Sequence, residues 1–433
     1  AGSSVYTTID ADLQMVAYDA LYKQLSEFEA QHGSVVVMEV QTGKVRAIVN
    51  LSRKKDGTYI DDYNYAVGEA AEPGSTFKTV SLLAAMDDGF INKNSTVETG
   101  GGSYKFYGRT ITDTHGYGTL TVDGVMKKSS NIGTAKIINK YYGENPKAFF
   151  KKMDKWHMTS PLGVDILGEG SPIMHRPDSK SWSNITLPVM GYGYGLQLTP
   201  IQIVTFYNAV ANNGKMLKPL FMDKITRKGE PDKIFEPVVL VDQLTSLENV
   251  KQMQEMLRGA VEQGTGRIIS NSNYDIAGKT GTARVDYWKR DGKGMQYRAS
   301  FAGYFPAEKP KYSCIVVVHK PNTAKGFYGG SVTAPVFKKI ADWVYSKTPI
   351  PLPRDLVKKN AVKEFKKGDD INVSNSKNIV PNVTGHTGSK AIPVLENLGL
   401  DVQYSGFGKV TNQSIPAGTR FKKGETIYLM LEG

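Results

Sequence analysis

The sequence predicts an α+β fold in which strands from both ends of the chain share one sheet, with helices between them. Three observations carry this reading. A hairpin pattern lies at 34–50, a cluster of strand patterns lies between Asp275 and Val318, and apolar helical patterns recur across the chain between them. Strands grouped early and late, rather than alternating regularly with helices, mark that class.

The elements follow in order. Ser34 to Val40 is apolar, Gln41-Thr42-Gly43 turns the chain, and Lys44 to Asn50 returns with Val45, Ala47 and Val49 alternating. A polar stretch then leads to Glu72-Pro73-Gly74. From Ser75 onward, Val80 to Met86 is a nearly all-apolar helix, which belongs in a core. Helical patterns fill roughly 121–160, restart near Thr199-Pro200, and return from Ser246 to Gln263. Asp275–Ala283, Arg298–Tyr304 and Ser313–His319 read as strands, and Ala334–Tyr345 as the last large helix. This first domain spans 1–345. Residues 346–377 read as a linker, because Thr348-Pro349-Ile350-Pro351-Leu352-Pro353 is stiff and extended and the charged run from Lys358 to Asp370 follows. Residues 378–433 form a small unit: a strand, a helix near Ser389 to Leu398, then strands ending in Thr426 to Met430.

A chain of 433 residues has room for two or three domains, and its 40% hydrophobic and 22% charged content is that of an ordinary globular protein. No stretch approaches the ~20 apolar residues needed to span a bilayer. Ala1-Gly2-Ser3-Ser4 has neither the basic start nor the apolar core of a signal peptide, and we expect an anchor upstream of it. The single cysteine, Cys314, excludes internal disulfides and cysteine-based zinc sites, and its apolar surroundings make it a core residue. The net charge of +12 suits a phosphate-bearing neighbour, such as a membrane surface or an anionic wall polymer, but scattered lysines on a soluble surface give the same number.

Three short words carry the chemistry: Ser75-Thr76-Phe77-Lys78, Ser129-Ser130-Asn131 and Lys279-Thr280-Gly281-Thr282. Pro73 and Gly74 place Ser75 in the first turn of a helix, and a spacing of three puts Lys78 on the same face. A lysine can act as the base for a serine nucleophile only if its pKa falls from about 10.4 to roughly 7–8. Burial in an apolar helix beside a second cation such as Lys279 would push it there. Ser129 and Asn131, two apart on a loop, can offer a hydroxyl to relay a proton and an amide to hold a backbone. Lys279 to Thr282 stands on a strand, where Gly281 would give a ligand close access to the edge and exposed N–H groups could receive a developing oxyanion. S-x-x-K alone is weak, recurring at Ser52/Lys55 and Ser374/Lys377; the joint order is the signal.

Other sites fail on spacing. Gly278-Lys279-Thr280 mimics the end of a phosphate loop, but Asn273 stands where its first glycine belongs. Gly191-Tyr192-Gly193-Tyr194-Gly195 is a tight loop rather than a dinucleotide site. The six histidines read as isolated, His115 as a loop residue and Asp61-Asp62 as a solvated pair. The basic segment Arg284 to Arg298 reads as a surface loop rather than a nucleic-acid site. No metal or cofactor is expected.

With these residues assembled, the chain resembles the transpeptidase domain of class B penicillin-binding proteins, closest to the septal, FtsI-like type. The resemblance includes Thr7-Thr8-Ile9-Asp10 with Leu13-Gln14, Glu72 to Lys78, Gly193 to Pro200 with Gln202, Gly264-Thr265-Gly266 and Ala277 to Ala283. The tail, with Val380-Pro381-Asn382-Val383, Leu398-Gly399-Leu400 and Pro416-Ala417-Gly418, resembles one PASTA module. The resemblance implies a serine β-lactamase/transpeptidase-like domain, an antiparallel sheet flanked by helices. It implies peptidoglycan D,D-transpeptidation of D-Ala-D-Ala stem peptides through a serine acyl-enzyme, blocked by β-lactams, at the outer face of the cytoplasmic membrane. Carried over, Ser75 is the nucleophile, Lys78 its base, Ser129 the relay and Asn131 the substrate orienter. Lys279, Thr280, Gly281 and Thr282 form the carboxylate grip, and the N–H groups of Ser75 and Thr282 form the oxyanion hole. Divisome proteins and a glycosyltransferase are the implied partners, with membrane attachment through an N-terminal anchor and no nucleic acid. A serine β-lactamase, a D,D-carboxypeptidase and a penicillin-binding sensor that does not turn over share these words and stay as alternatives.

Overall fold

The computed structural model describes residues 2–270, 273–286, 294–347, 371–373 and 378–432. It divides into two units, Ala1–Thr348 and Pro349–Gly433. The expected linker, 346–377, lies largely outside the described residues, as does the middle of the segment from Arg284 to Arg298.

Unit one is built on a six-stranded antiparallel sheet that joins its early and late segments. Its strands are β1 (His32–Glu39), β2 (Val45–Arg53), β3 (Tyr59–Ile60), β4 (Ala277–Val285), β5 (Gln296–Phe305) and β6 (Tyr312–His319). The order is β4-β5-β6-β1-β2-β3, so the early hairpin and the late strands meet where β6 pairs with β1, Cys314 opposite Val37. β4 lies at the edge.

Both faces of this sheet are covered, which explains why its strands read as apolar runs. Val36, Ala277, Ala302, Ile315 and Val317 belong to one buried cluster. Their neighbours Val35, Val37, Phe301, Cys314 and Val316 belong to another. The second face is sealed by α1 (Ala11–Glu27) and α7 (Ala334–Lys347). The sequence analysis assigned nothing to 11–27, although Asp10 caps the helix by accepting from the Leu13 N–H at 3.0 Å, and Leu13, Ala17, Leu21 and Leu25 form a helical stripe.

The other face holds α2 (Lys78–Asp87), α5 (Pro200–Ala211) and α6 (Leu247–Glu262), with α3 (Val122–Lys128) and α4 (Asn131–Tyr142) nearby. Every residue of α5 is buried; its start is fixed by a capping box between Thr199 and Gln202, with Pro200 in the first turn. Short hairpins over 96–121, which the sequence analysis did not assign, precede α3.

In the second unit, α8 (Gly388–Leu398) packs with a three-stranded sheet in which Asp401–Gly406 and Thr426–Glu432 run parallel and Lys409–Gln413 pairs antiparallel to the last strand. The strand expected before the helix is only an isolated bridge, Ile379 to Arg420. Pro381 follows it at once and has no N–H to continue a ladder. Among the described residues, no helix is long and apolar enough to cross a membrane.

Candidate active site

All three words converge on one cleft of about 550 Å³, whose walls include Ser75, Ser129, Asn131, Thr280 and Thr282. Ser75 lies in a 3₁₀ turn, Gly74–Phe77, that runs directly into α2. Gly74 takes φ +57° there, a left-handed backbone that glycine adopts without strain. Its N–H donates to Gly193 O at 3.0 Å, so the Tyr-Gly loop clamps the entry to the turn. A Cβ on Gly193 would fall 2.0 Å from Gly74 O, which accounts for that glycine.

Lys78 is fully buried, and its Nζ donates to Ser129 O at 2.5 Å, Asn131 Oδ1 at 2.8 Å and Ser129 Oγ at 3.2 Å. The Ser129 hydroxyl in turn donates to Ser75 Oγ at 3.0 Å. Ser129 Oγ thus bridges the Lys78 amine and the Ser75 hydroxyl. Burial above all, and the Lys279 charge second, pull the Lys78 pKa well below the ordinary lysine value, while Asp113 opposes them. Burial alone brings Lys279 down to about 7.

Ser129 and Asn131 do not sit on an open loop. Ser129 ends α3 with φ +57°, a conformation that a serine adopts only under strain, and Ser130 caps α4 by accepting from Gly133 N–H at 2.8 Å. Asp113 holds the whole corner, accepting from Ser130 Oγ and Asn131 N–H at 2.5 Å each and from Ile132 N–H at 3.2 Å. A carboxylate at a helix N-terminus is favoured by the helix dipole as well. Sequence reasoning passed over Asp113, because only the fold brings its hairpin loop to the start of α4.

Lys279 Nζ donates to Thr280 O at 3.2 Å and Thr265 Oγ1 at 3.4 Å, and the Thr265 and Thr280 hydroxyls are 2.6 Å apart. Thr265 therefore joins the grip. On the free edge of β4, Tyr194 donates its hydroxyl to Thr282 O at 3.4 Å and accepts from Arg284 N–H at 3.0 Å. The N–H and C=O of one strand residue point to the same side. So the Thr282 N–H also faces the cleft. Gly281 has a packing role as well. A Cβ there would meet Ser300 Oγ at 2.2 Å and Pro73 O at 3.1 Å, so it makes room for the turn that carries Ser75.

Away from the cleft, two histidines are not isolated. His32 stacks on His319 with ring centroids 4.4 Å apart, and the Glu69 carboxylate lies 3.2 Å from His32 Nε2 and 2.6 Å from Arg298. This donor set could hold a metal ion, but the Arg298 guanidinium already supplies a cation to its carboxylate.

The sequence profile of the penicillin binding protein transpeptidase domain matches residues 33–342, and that of the PASTA domain matches 378–433. The chain belongs to the penicillin-binding protein transpeptidase family and carries a PASTA domain after the transpeptidase domain. It is 31% identical over 355 residues to the probable peptidoglycan D,D-transpeptidase PenA of Neisseria flavescens, covering 78% of this chain and 81% of that protein. It is 30% identical over 346 residues to the peptidoglycan D,D-transpeptidase FtsI of Escherichia coli K12, covering 78% of this chain but 55% of that protein. Most of the curated relatives it matches are thus spanned over little more than half their length. Among solved structures, the transpeptidase domain of penicillin-binding protein 3 from Burkholderia pseudomallei superposes with TM-score 0.66 at 30% identity, over 80% of this chain and 98% of that one. Penicillin-binding protein 3 from Mycobacterium tuberculosis, in its ampicillin complex, gives TM-score 0.70 at 28% identity over 81% of each chain.

Proposed function

We propose that the chain is a peptidoglycan D,D-transpeptidase that works through a Ser75 acyl-enzyme. The observation that carries this is the hydrogen-bonded line from Lys78 Nζ through Ser129 Oγ to Ser75 Oγ, with the amine buried and its pKa pulled well below the ordinary lysine value. Ser75 Oγ attacks the carbonyl of the penultimate D-alanine; with Lys78 neutral the two hydroxyl rotors turn, so that Ser75 donates to Ser129 Oγ and Ser129 donates to the Lys78 Nζ lone pair, and the serine proton passes along that line. The N–H groups of Ser75 and Thr282 receive the oxyanion. Lys279, with Thr280, Thr282 and Thr265, holds the terminal carboxylate, and Asn131 orients the donor backbone. As the C–N bond breaks, Ser129 returns the proton to the departing D-alanine amine. An acceptor amine then attacks the Ser75 ester, gives up a proton to the same relay and frees the serine. A β-lactam would form the same ester.

Resemblance to FtsI and PenA supports a role in septal wall synthesis at the outer face of the cytoplasmic membrane, alongside divisome proteins and a glycosyltransferase. Intact mass after exposure to benzylpenicillin tests the mechanism. We expect a lasting gain of one drug mass in the wild type and none in Ser75→Ala. An adduct that survives Ser75→Ala would overturn the assignment of the nucleophile, and an adduct lost within minutes with drug consumed would indicate a β-lactamase.

A further inference from the structure

The turn that carries Ser75 is clamped at its entry by Gly193 and packed on β4 at Gly281, and a third element holds it from the core. Thr76, between the serine and Lys78, is buried, and its hydroxyl donates to Pro73 O at 2.9 Å. Its carbonyl accepts from the hydroxyl of Tyr207, on α5, at 2.9 Å. A phenol has one proton, and Tyr207 gives it to Thr76 O. The Thr79 hydroxyl, 2.7 Å from the Tyr207 oxygen, is therefore the donor in that second contact. The result is a short buried chain, from Thr79 to Tyr207 to the Thr76 carbonyl.

Tyr207 stands on a rigid base. The next residue, Asn208, donates from Nδ2 to Ser313 Oγ on β6 at 2.9 Å and to Glu39 O on β1 at 3.3 Å, so α5 is pinned to the middle of the sheet. The Tyr207 ring packs in the apolar cluster, where a phenylalanine would fill nearly the same space. Packing alone does not call for the hydroxyl, and a buried polar group is unfavourable unless it is paired. What the hydroxyl fixes is the plane of the Thr76–Phe77 peptide, because a hydrogen bond is directional. That peptide separates the nucleophile from its base. If it rotates, Ser75 Oγ leaves the 3.0 Å contact with Ser129.

We propose that Tyr207 is a positioning residue for acylation: its hydroxyl, supported by Thr79, locks the Thr76–Phe77 peptide and thereby the angle at which Ser75 meets Ser129 and the substrate carbonyl. It touches no substrate and acts through Thr76. The proposal rests on the reading of Ser75 as the nucleophile. Attack geometry is unforgiving, since a misplacement of about 1 Å can slow a reaction on the order of a hundredfold.

The test resolves acylation by benzylpenicillin into the Kd of the initial complex and the first-order acylation step, by varying the drug concentration. Two variants are compared with the wild type, each with its thermal melting. Tyr207→Phe deletes the hydroxyl and leaves that of Thr79 buried without a partner, which lowers stability. Tyr207→Phe/Thr79→Val removes this orphan as well, so it should melt closer to the wild type, and it carries the test if the single variant does not fold. We expect the acylation step to slow about tenfold or more in both variants while Kd changes by less than about threefold. A wild-type acylation step in Tyr207→Phe would overturn the proposal. So would recovery of that step together with the melting temperature in the double variant, because the role would then be structural only. Labelling of Ser75→Ala keeps the two claims apart. If only Ser75→Ala loses the adduct and both Tyr207 variants acylate normally, the positioning role alone falls. An adduct that survives Ser75→Ala removes the nucleophile, and the positioning role with it.

Discussion

Lys78 and Lys279 are both wholly buried within one site, and two ammonium charges at such depth cannot both persist at neutral pH. The causes differ in a useful way. Lys78 is lowered by burial and by Lys279, whereas Lys279 is lowered by burial alone, to about 7. Lys279, lowered to about 7, can still carry a proton near neutrality where a substrate carboxylate would meet it, while burial and that charge disfavour a proton on Lys78. This division predicts the pH dependence of acylation by benzylpenicillin, measured as a second-order rate constant that reports the free enzyme. The rate should climb from acid pH as Lys78 loses its proton and fall again above about 7 as Lys279 loses its own. A profile that stays flat to pH 9 would show that the Lys279 charge is not needed for binding. At this scale the three words that meet in the cleft were legible, because each is contiguous in sequence. Asp113, Thr265 and Tyr194 were not assigned roles, since each acts on a residue 15 to 90 positions away.

At the scale of elements, the catalytic turn is held from outside. Gly74 is clamped by Gly193, and Gly281 lets the turn approach β4. Gly193→Ala should therefore be costly twice over. The residue has φ +91°, and the new Cβ would press on Gly74 O. We expect a loss of stability of about 2 kcal/mol or more, from left-handed strain plus a backbone clash, and acylation slowed by at least tenfold. Thermal melting and benzylpenicillin uptake, measured on the same sample, check both; a variant that melts and acylates like the wild type would mean the clamp is dispensable. The spacing of helices and strands was readable from periodicity, with boundaries shifted by a few residues. β4 and β5 run on to Val285 and Gln296, beyond the expected Ala283 and Arg298, because ladder hydrogen bonds continue past the last apolar residue. The short hairpins over 96–121 gave little signal, since strands of four or five half-exposed residues gain their order from what they pack against.

For the whole molecule, the meeting of β1 and β6 stores a buried polar cluster where the chain's two ends are joined. His319 is pulled down to about 3, chiefly by burial and then by His32 and Arg298. Glu69 is held far below the carboxylate range by Arg298 and His32, against its own burial. A histidine whose folded pKa is depressed stays neutral in the fold while the unfolded chain takes up a proton, so stability falls as pH drops below 6.5 toward 3. The Glu69 contribution is lost later, below about 4.5, as its carboxylate is forced to protonate. Between pH 6.5 and 4.5 the His319 effect alone amounts to ~2–3 kcal/mol. Denaturant unfolding at several pH values should show this decline in the wild type and a shallower one in His319→Phe; equal slopes would place the acid sensitivity elsewhere.

The sequence by itself determined the family and the class of fold. Serine, lysine and threonine words at helix starts and on a strand announce their reactivity through residue type and near spacing, and apolar periodicity announces helices and strands. It marked the PASTA tail through a resemblance carried by Val380 to Val383, Leu398 to Leu400 and Pro416 to Gly418. Only the tertiary structure decided how those groups connect: that Ser129 stands between Lys78 and Ser75, that Gly281 makes room for the turn carrying Ser75, that His32 and His319 are partners, and that Arg109 and Arg284 line one cavity. The physical reason is range. Propensity and periodicity act over a few residues, whereas hydrogen bonds, burial and charge coupling depend on distances in space that only the closed sheet and its covering helices set.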